Sequence, residues 1–275
     1  MSSFGVRILD AFKAKGQLCL GIDPSFEQLH SWGLPQSADG VKSFAMAILD
    51  AAVEQVAIVK PQVAFFEQFG AEGFKALADV LQEASSRQLL VIADAKRGDI
   101  GSTMTGYANA WLSEEAVFTC DALTVSPYLG PESLDQTVQA ALGNDRGLFI
   151  LAATSNPEAV SLQSAISSGS SVAKRVYEYA SHHSSGELGS IGVVIGATVN
   201  SAALGIDISQ RSQAPVLVPG FGSQGASLSQ AGSLLQAFSA ASICSVSRSV
   251  AGLSREGLVS RLSAAKSELE VGLRV

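Results

Sequence analysis

The sequence predicts an α/β fold, a closed (β/α)8 barrel forming a single domain over 1–275, on three observations. Short apolar runs recur along the chain, stretches with helical periodicity separate them, and charged residues gather where the runs end. Runs of four to seven residues rich in Val, Ile and Leu are what parallel strands covered on both faces look like. Eight of them alternating with helices is the barrel's pattern, with a doubly wound open sheet as the competing arrangement.

The opening MSSFGVRILDAFKAKG mixes charges into an amphipathic pattern and lacks the apolar centre of a secretory signal, so it predicts a first helix. QLCLGI at 17–22 is the first strand candidate. Phe44, Ile48, Ala51, Ala52 and Val56 recur at helical spacing before the second run, VAIVK at 56–60. Phe74, Leu77, Ala78 and Leu81 mark the next helix, before LLVIAD at 89–94. DALTVS at 121–126, GLFILAA at 147–153, IGVVIGA at 191–197, APVLVP at 214–219 and SICSVS at 242–247 complete the set. The Ser-rich stretch 161–171 reads as a mobile surface loop, not a domain boundary.

Composition narrows the function classes. Hydrophobic residues make up 47% and charged ones 16%, enough for a large core, yet no uninterrupted apolar run reaches the ~18 residues of a membrane span. A net charge of -7 without a long basic run argues against a nucleic-acid partner. An anionic ligand would therefore need a few cations concentrated in one place. Cys19, Cys120 and Cys244 are odd in number and widely spaced, which reads as buried, reduced thiols of a cytoplasmic protein. His30, His182 and His183 lie far from the charged motifs and share no metal-ligand spacing with cysteine, so no metal site is expected.

In such barrels the chemistry sits where strands end. The residues there are Asp23, Lys60, Asp94 with Lys96, Ser126, Ser155, Thr198, Pro219 with Gly220, and Arg248; half are charged in a charge-poor chain. In an extended strand, alternation points Asp94 and Lys96 the same way. Asp99 follows at a glycine turn, and Ile100 and Thr103 lead into the next helix. Two carboxylates flanking a lysine hold it protonated and directed, able to deliver a proton to an electron-rich carbon. Each residue also has a plainer reading: a surface salt-bridge cluster, Lys60 snorkelling at a strand end before Pro61, Asp23 in a turn or helix cap before Ser25. Their coincidence at the ends of three strands favours a site whose ions stay paired.

The segment PGFGSQG matches GxGxxG at Gly220, Gly222 and Gly225, but no acidic residue falls in 240–247 and only one strand remains for a dinucleotide fold. Loops after the last two barrel strands commonly bind phosphate. Gly220 and Gly222 let backbone approach an anion, Arg248 offers forked donors, and Gln224 can add an amide and close over the ligand.

Asp23 in LGIDPS, Lys60 in VKPQ, DAKRGDIGST at 94–103, TSNPEA at 154–159, VPGFGSQG at 218–225 and SRS at 247–249 occur in order. On these motifs the chain resembles the orotidine 5′-monophosphate decarboxylase family over nearly its whole length, in its longer-chain branch. The resemblance implies a TIM barrel carboxy-lyase that converts orotidine 5′-monophosphate to uridine 5′-monophosphate and CO2, the last step of de novo pyrimidine nucleotide synthesis, with no metal or organic cofactor. It implies that Lys96 protonates C6. Asp94 would sit beside the substrate carboxylate and orient Lys96, acting by repulsion or through carbanion stabilisation. Lys60 and Asp23 would hold ribose hydroxyls, and Ser155 the polar edge of the pyrimidine. Asp99, Ile100 and Thr103 would reach a neighbouring subunit's site, giving a homodimer with shared active sites. Pro219, Gly220, Gly222, Gln224 and Arg248 would form the phosphate end, with the loop as a lid. The family usually has a glycine before that arginine; this chain has Ser247.

Three rivals remain in view. A Mg2+-using sugar-phosphate relative would carry a carboxylate where this chain has Lys60. A Schiff-base aldolase would need a neutral Lys60 or Lys96, which flanking aspartates oppose. A silent nucleotide-binding barrel would keep the fold without turnover.

Overall fold

All eight apolar runs become strands, and the strands close on themselves. The computed structural model describes residues 2–223 and 225–274. Strands β1 (Leu18–Ile22), β2 (Ile58–Pro61), β3 (Leu90–Arg97), β4 (Ala122–Val125) and β5 (Gly147–Ala153) are followed by a small hairpin, β6 (Ile166–Ser167) and β7 (Ser170–Ser171). Strands β8 (Ile191–Ile195), β9 (Val216–Val218) and β10 (Ser242–Val246) complete the set. The helices are α1 (Phe4–Lys15), α2 (Phe26–Ser31), α3 (Ala38–Ala52), α4 (Ala64–Glu67), α5 (Gly70–Ser86) and α6 (Gly101–Trp111). They continue with α7 (Asp135–Gly143), α8 (Ala159–Gln163), α9 (Val172–His182), α10 (Ala231–Leu235), α11 (Arg248–Ala251) and α12 (Leu258–Gly272). The hairpin aside, the strand order is β1-β10-β9-β8-β5-β4-β3-β2, every pair is parallel, and β1 bonds both β10 and β2. That closure excludes the open sheet.

Side-chain alternation sorts the apolar residues into two cores. Leu18, Leu20 and Ile22 of β1 face outward, and with their counterparts on the other strands they pack against helices such as α3 and α5. The other face fills the barrel with Cys19, Ile58, Ile92, Ala122, Phe149, Val194, Leu217 and Ile243. Two residues further along each strand, the same face carries Gly21, Lys60, Asp94, Thr124, Leu151, Gly196, Pro219 and Ser245. The period of two thus stacks a polar layer directly on an apolar one, at the end where barrel sites lie.

The opposite end is closed by α1. Ser3 accepts a hydrogen bond from the Val6 N–H and caps the helix. Phe4 and Ile8 enter the interior, Phe4 meeting Phe149 edge-on with ring centroids 6.0 Å apart. Arg7 pairs with Asp121 at 2.9 Å beside them.

The Ser-rich stretch is more ordered than the loop its composition predicts. It holds the end of α8 and the β6–β7 hairpin, and its last residue, Ser171, caps α9 by accepting from the Lys174 N–H at 3.0 Å while donating to the Leu204 carbonyl. Serines here serve as caps and turn formers, a use that composition does not separate from disorder. The three cysteines are free and buried. Among the described residues no helix is long and apolar enough to cross a membrane.

The plug yields an expectation. Phe4→Ala removes a fully buried ring from the barrel interior, and urea unfolding should show a loss of about 3–5 kcal/mol. A loss below about 1 kcal/mol would show that α1 does not hold the barrel closed.

Candidate active site

The polar layer opens into a cleft of about 550 Å3 at the C-terminal ends of the strands. Its two sides differ in chemistry. Lys60, Asp94 and Lys96 make one wall, and Leu151, Val194 and Leu217 make an apolar floor and facing wall. Such a slot fits a flat ring with one charged edge.

Asp94 is the hub of the charged wall. Its Oδ2 accepts from Lys60 Nζ at 2.9 Å and its Oδ1 from Lys96 Nζ at 2.7 Å. Thr124 Oγ1 donates to Oδ1 at 2.9 Å, and the Gln62 amide donates to Oδ2 while its oxygen accepts from Lys96. Four donors thus converge on two oxygens. Burial alone would raise the Asp94 pKa, but the ammonium groups of Lys60 and Lys96 outweigh it and hold the carboxyl well below the usual range. Burial alone would also lower Lys60, yet Asp94 and then Asp23 hold it above the ordinary lysine value. The two lysines differ in exposure: the Lys60 side chain is 8% exposed and Lys96 43%, so Lys96 is the ammonium that faces the cleft.

Local structure explains how these residues meet. Pairing continues just past the end of β2: the Gln62 N–H donates to the Ile22 carbonyl at 3.1 Å, and Gln62 forms an isolated bridge with Asp94. The ladder hydrogen bond denied to proline is taken up one residue later, which brings Gln62 into the site. β3 is not a regular extended strand either. Its register against β4 jumps between Ala93 and Arg97, and Lys96 sits in the left-handed region at φ 51°. Alternation alone does not bring the Lys96 ammonium back onto Asp94; the bulge does.

Asp23 turns out not to cap a helix. Ser25 caps α2 through the Gln28 N–H, while Asp23 Oδ1 is buried with no hydrogen-bond partner among the described residues. A buried carboxylate oxygen without a donor is a place for a ligand hydroxyl. Ser155, Pro219, Gly220 and Arg248 line the same cleft. Arg248 opens α11 and is exposed, and its guanidinium has no ion pair or hydrogen bond among the described residues. Ser247 precedes it at φ -142° and ψ -88°, so no positive φ calls for a glycine there. A Cβ on Gly21 would lie 2.6 Å from the Ser247 Cβ, so glycine is needed on β1 instead of before the arginine.

Other candidates fall elsewhere. Gly222 lines the neighbouring depression, its N–H donates to the Ala226 carbonyl at 2.8 Å, and its φ of 76° against Ser249 accounts for the glycine. Asp99, Ile100 and Thr103 do not line this chain's cleft: Asp99 accepts from the Ile100 N–H at 2.8 Å, and Ile100 and Thr103 are exposed. Gln224 lies outside the described residues. Sequence reasoning missed Gln62, Thr124, Ser223 and Ser245; Gln62 was visible in the VKPQ motif, whereas Thr124 sits inside an apolar run and carries no signal of its own. Among the described residues, no group of three or more His, Cys, Asp or Glu side chains converges as metal ligands would.

A closed parallel barrel with a lysine–carboxylate hub at one end of its cleft and an unpaired arginine at the other defines a class of barrel enzymes acting on small anionic substrates. Comparison gives the family. The family described as Orotidine 5′-phosphate decarboxylase / HUMPS matches residues 16–256, and the chain belongs to it. The orotidine 5′-phosphate decarboxylase of Corynebacterium glutamicum is 44% identical over 254 residues, 90% of each chain. That of Streptomyces coelicolor is 44% identical over 232 residues, 82% of this chain and 81% of its own. The crystal structure of a putative orotidine 5′-phosphate decarboxylase from Streptomyces avermitilis superposes with a TM-score of 0.94 at 38% identity, covering 100% of this chain and 97% of that one.

The hub sets the pH dependence of stability. The folded-state pKa of Asp94 lies below the unfolded value of about 3.9, so its contribution is complete above that pH and fades as pH falls below about 4. Lys60 is raised instead, so its share is complete below its unfolded value of about 10.4 and is lost only in stronger alkali. Asp94→Ala leaves the Lys60 ammonium buried without its main partner, and should cost about 3–5 kcal/mol in urea unfolding at neutral pH. Adding Lys60→Met should recover part of that loss; no recovery would mean the orphaned charge is not its cause.

Proposed function

We propose that the chain decarboxylates orotidine 5′-monophosphate to uridine 5′-monophosphate and CO2, with Lys96 as proton donor to C6 and with no metal or organic cofactor. The observation that carries this reading is the Asp94 carboxylate gripped by one buried and one cleft-facing ammonium, in a chain of this family. The bond from C6 to the carboxylate carbon breaks, its electron pair stays at C6, and the Lys96 ammonium supplies the proton that fills the vacated position. Water then reprotonates Lys96. Asp94, kept anionic, fixes the direction of the Lys96 ammonium and confronts the substrate carboxylate with a second negative charge. Lys60 anchors Asp94 and, with the unpartnered Asp23 oxygen, receives ribose hydroxyls. The apolar side of the cleft takes the pyrimidine ring, whose polar edge Ser155 meets. Arg248, Gly220 and Pro219 receive the phosphate, with Gly222 shaping the loop.

The active form is a homodimer with shared sites. Asp99, Ile100 and Thr103 do not line their own cleft, and Ile100, Tyr128 and Leu129 leave apolar surface exposed on loops around the same end of the barrel. Buried free thiols suit a reducing cytoplasm.

Purified protein mixed with orotidine 5′-monophosphate and EDTA should deplete the substrate absorbance. Absence of turnover would reject the assignment, and turnover abolished by EDTA would favour a metal-using reaction. Lys96→Ala should lower kcat by at least about 10²–10⁴-fold while nucleotide still binds. Arg248→Ala should chiefly raise KM, by roughly 10–100-fold for a lost charged hydrogen-bond pair. Equal effects of the two on kcat and KM would argue against this division.

Sharing of sites predicts complementation. In a heterodimer of Lys96→Ala and Asp99→Ala chains, one site keeps both residues and the other loses both. Mixing the two inactive variants under subunit exchange should restore about a quarter of wild-type activity. No recovery after verified exchange would place Asp99 in its own chain's site.

A further inference from the structure

We infer that Thr124 is a positioning residue for Lys96, holding by one hydroxyl both the backbone of Lys96 and the carboxylate that grips its ammonium. The inference rests on the reading of Lys96 as proton donor.

Between the paired positions Ala93 with Leu123 and Arg97 with Val125, β3 contains three residues and β4 only Thr124. The extra residues of the bulge have no ladder partner on β4, and a backbone N–H withdrawn from water needs one. The Lys96 N–H finds it in Thr124 Oγ1 at 3.0 Å. Having accepted there, the same hydroxyl donates its single proton to Asp94 Oδ1 at 2.9 Å, the oxygen that also receives Lys96 Nζ at 2.7 Å. A closed loop results, from the Lys96 amide through Thr124 and Asp94 to the Lys96 ammonium.

Three features mark this loop as more than a filled space. Thr124 is fully buried and stands in the polar layer of the barrel, where its two chain neighbours Leu123 and Val125 face the outer core. Lys96 is a non-glycine residue at φ 51°, a conformation that persists only where surrounding bonds impose it. The Lys96 side chain otherwise lines the open cleft and, among the described residues, hydrogen-bonds only Asp94 and, more weakly, Gln62. The backbone of Lys96 is therefore set from below by Thr124, and the ammonium inherits its direction. Valine has the shape of threonine but can neither accept the Lys96 N–H nor donate to Asp94. In Thr124→Val the amide must seek another acceptor, the left-handed turn relaxes, and the proton donor swings away from a fixed reacting carbon. Nucleotide binding, which draws on Asp23, Lys60, Ser155 and Arg248 and not on the Thr124 hydroxyl, is left in place.

The test compares wild type, Thr124→Val, Thr124→Ser and Lys96→Ala for kcat and KM on orotidine 5′-monophosphate, each verified as folded at the assay temperature. Thr124→Val should lower kcat by about 10–100-fold with KM within about threefold, the scale of a small misplacement of a reacting group. Thr124→Ser, which keeps the hydroxyl, should return kcat to within about threefold of wild type. The inference is overturned if Thr124→Val matches wild type, if its loss falls mainly on KM, or if Thr124→Ser is as slow as Thr124→Val. Should the valine variant not fold, Thr124→Cys, with its weak donor and acceptor, carries the same comparison with serine. An inactive wild type, or a Lys96→Ala variant as active as wild type, would instead defeat the reading of the reaction itself. An active wild type, a dead Lys96→Ala and a normal Thr124→Val would defeat only the role of Thr124.

Discussion

The site depends on one constraint: a carboxylate placed on top of an apolar barrel interior must be supplied with donors. Asp94 stands one layer above Ile92, with 12% of its side chain exposed. An unpaired anion there would take up a proton to escape the cost of burial. Lys60, Lys96, Thr124 and Gln62 prevent that, each from a different part of the frame. Lys60 comes from β2, Gln62 from the residue after it, Thr124 from β4, and Lys96 from the bulge of β3 itself. Adjacent parallel strands with staggered ends are what allow three neighbours to reach one side chain. The barrel is therefore more than a support for this hub; its register decides who reaches Asp94.

The same constraint separates the two lysines. Both pair with one carboxylate, yet one is closed in and the other faces the cleft. A buried ammonium with two aspartates near it is a fixed charge, useful for holding geometry and poor at exchanging protons with solvent. An ammonium that reaches solvent on one side and a carboxylate on the other can give up a proton and recover it. Exposure, more than identity or spacing, assigns the roles.

Much of this was legible in the sequence, and the reason is physical. Strands covered on both faces must be continuously apolar, so all eight could be read from the apolar runs, and the DAKRGD segment stood out because charges are scarce in this chain. What escaped was set by tertiary contacts. Thr124 lies in DALTVS, where a threonine among aliphatic residues reads as strand propensity, and only the bulge opposite gives its hydroxyl a task. The left-handed turn at Lys96 has no glycine or asparagine to announce it. The Ser-rich stretch looked like a loop because serine caps and turns share their composition with disorder. Asp99, Ile100 and Thr103 were recognisable as part of the motif, while their absence from the lining of their own cleft could come only from coordinates.

Ser247 shows how a departure from the family pattern can be absorbed. Ser247, the residue before Arg248, is approached by the backbone of β1, and that approach leaves room for one Cβ between the two strands, not two. With serine on β10's exit, glycine is required at position 21. The two positions form a steric pair across the β1–β10 junction, the seam at which the barrel closes. The tight contact at the seam thus lies one residue before Arg248, which opens α11. An exposed, unpaired guanidinium at that point has a defined base and an open tip. Within the proposed reaction, a phosphate bound there would draw the flexible tip into place while the rigid hub at the other end needs no adjustment. Binding energy gathered at the mobile end can then be used at the fixed one, where the bond breaks.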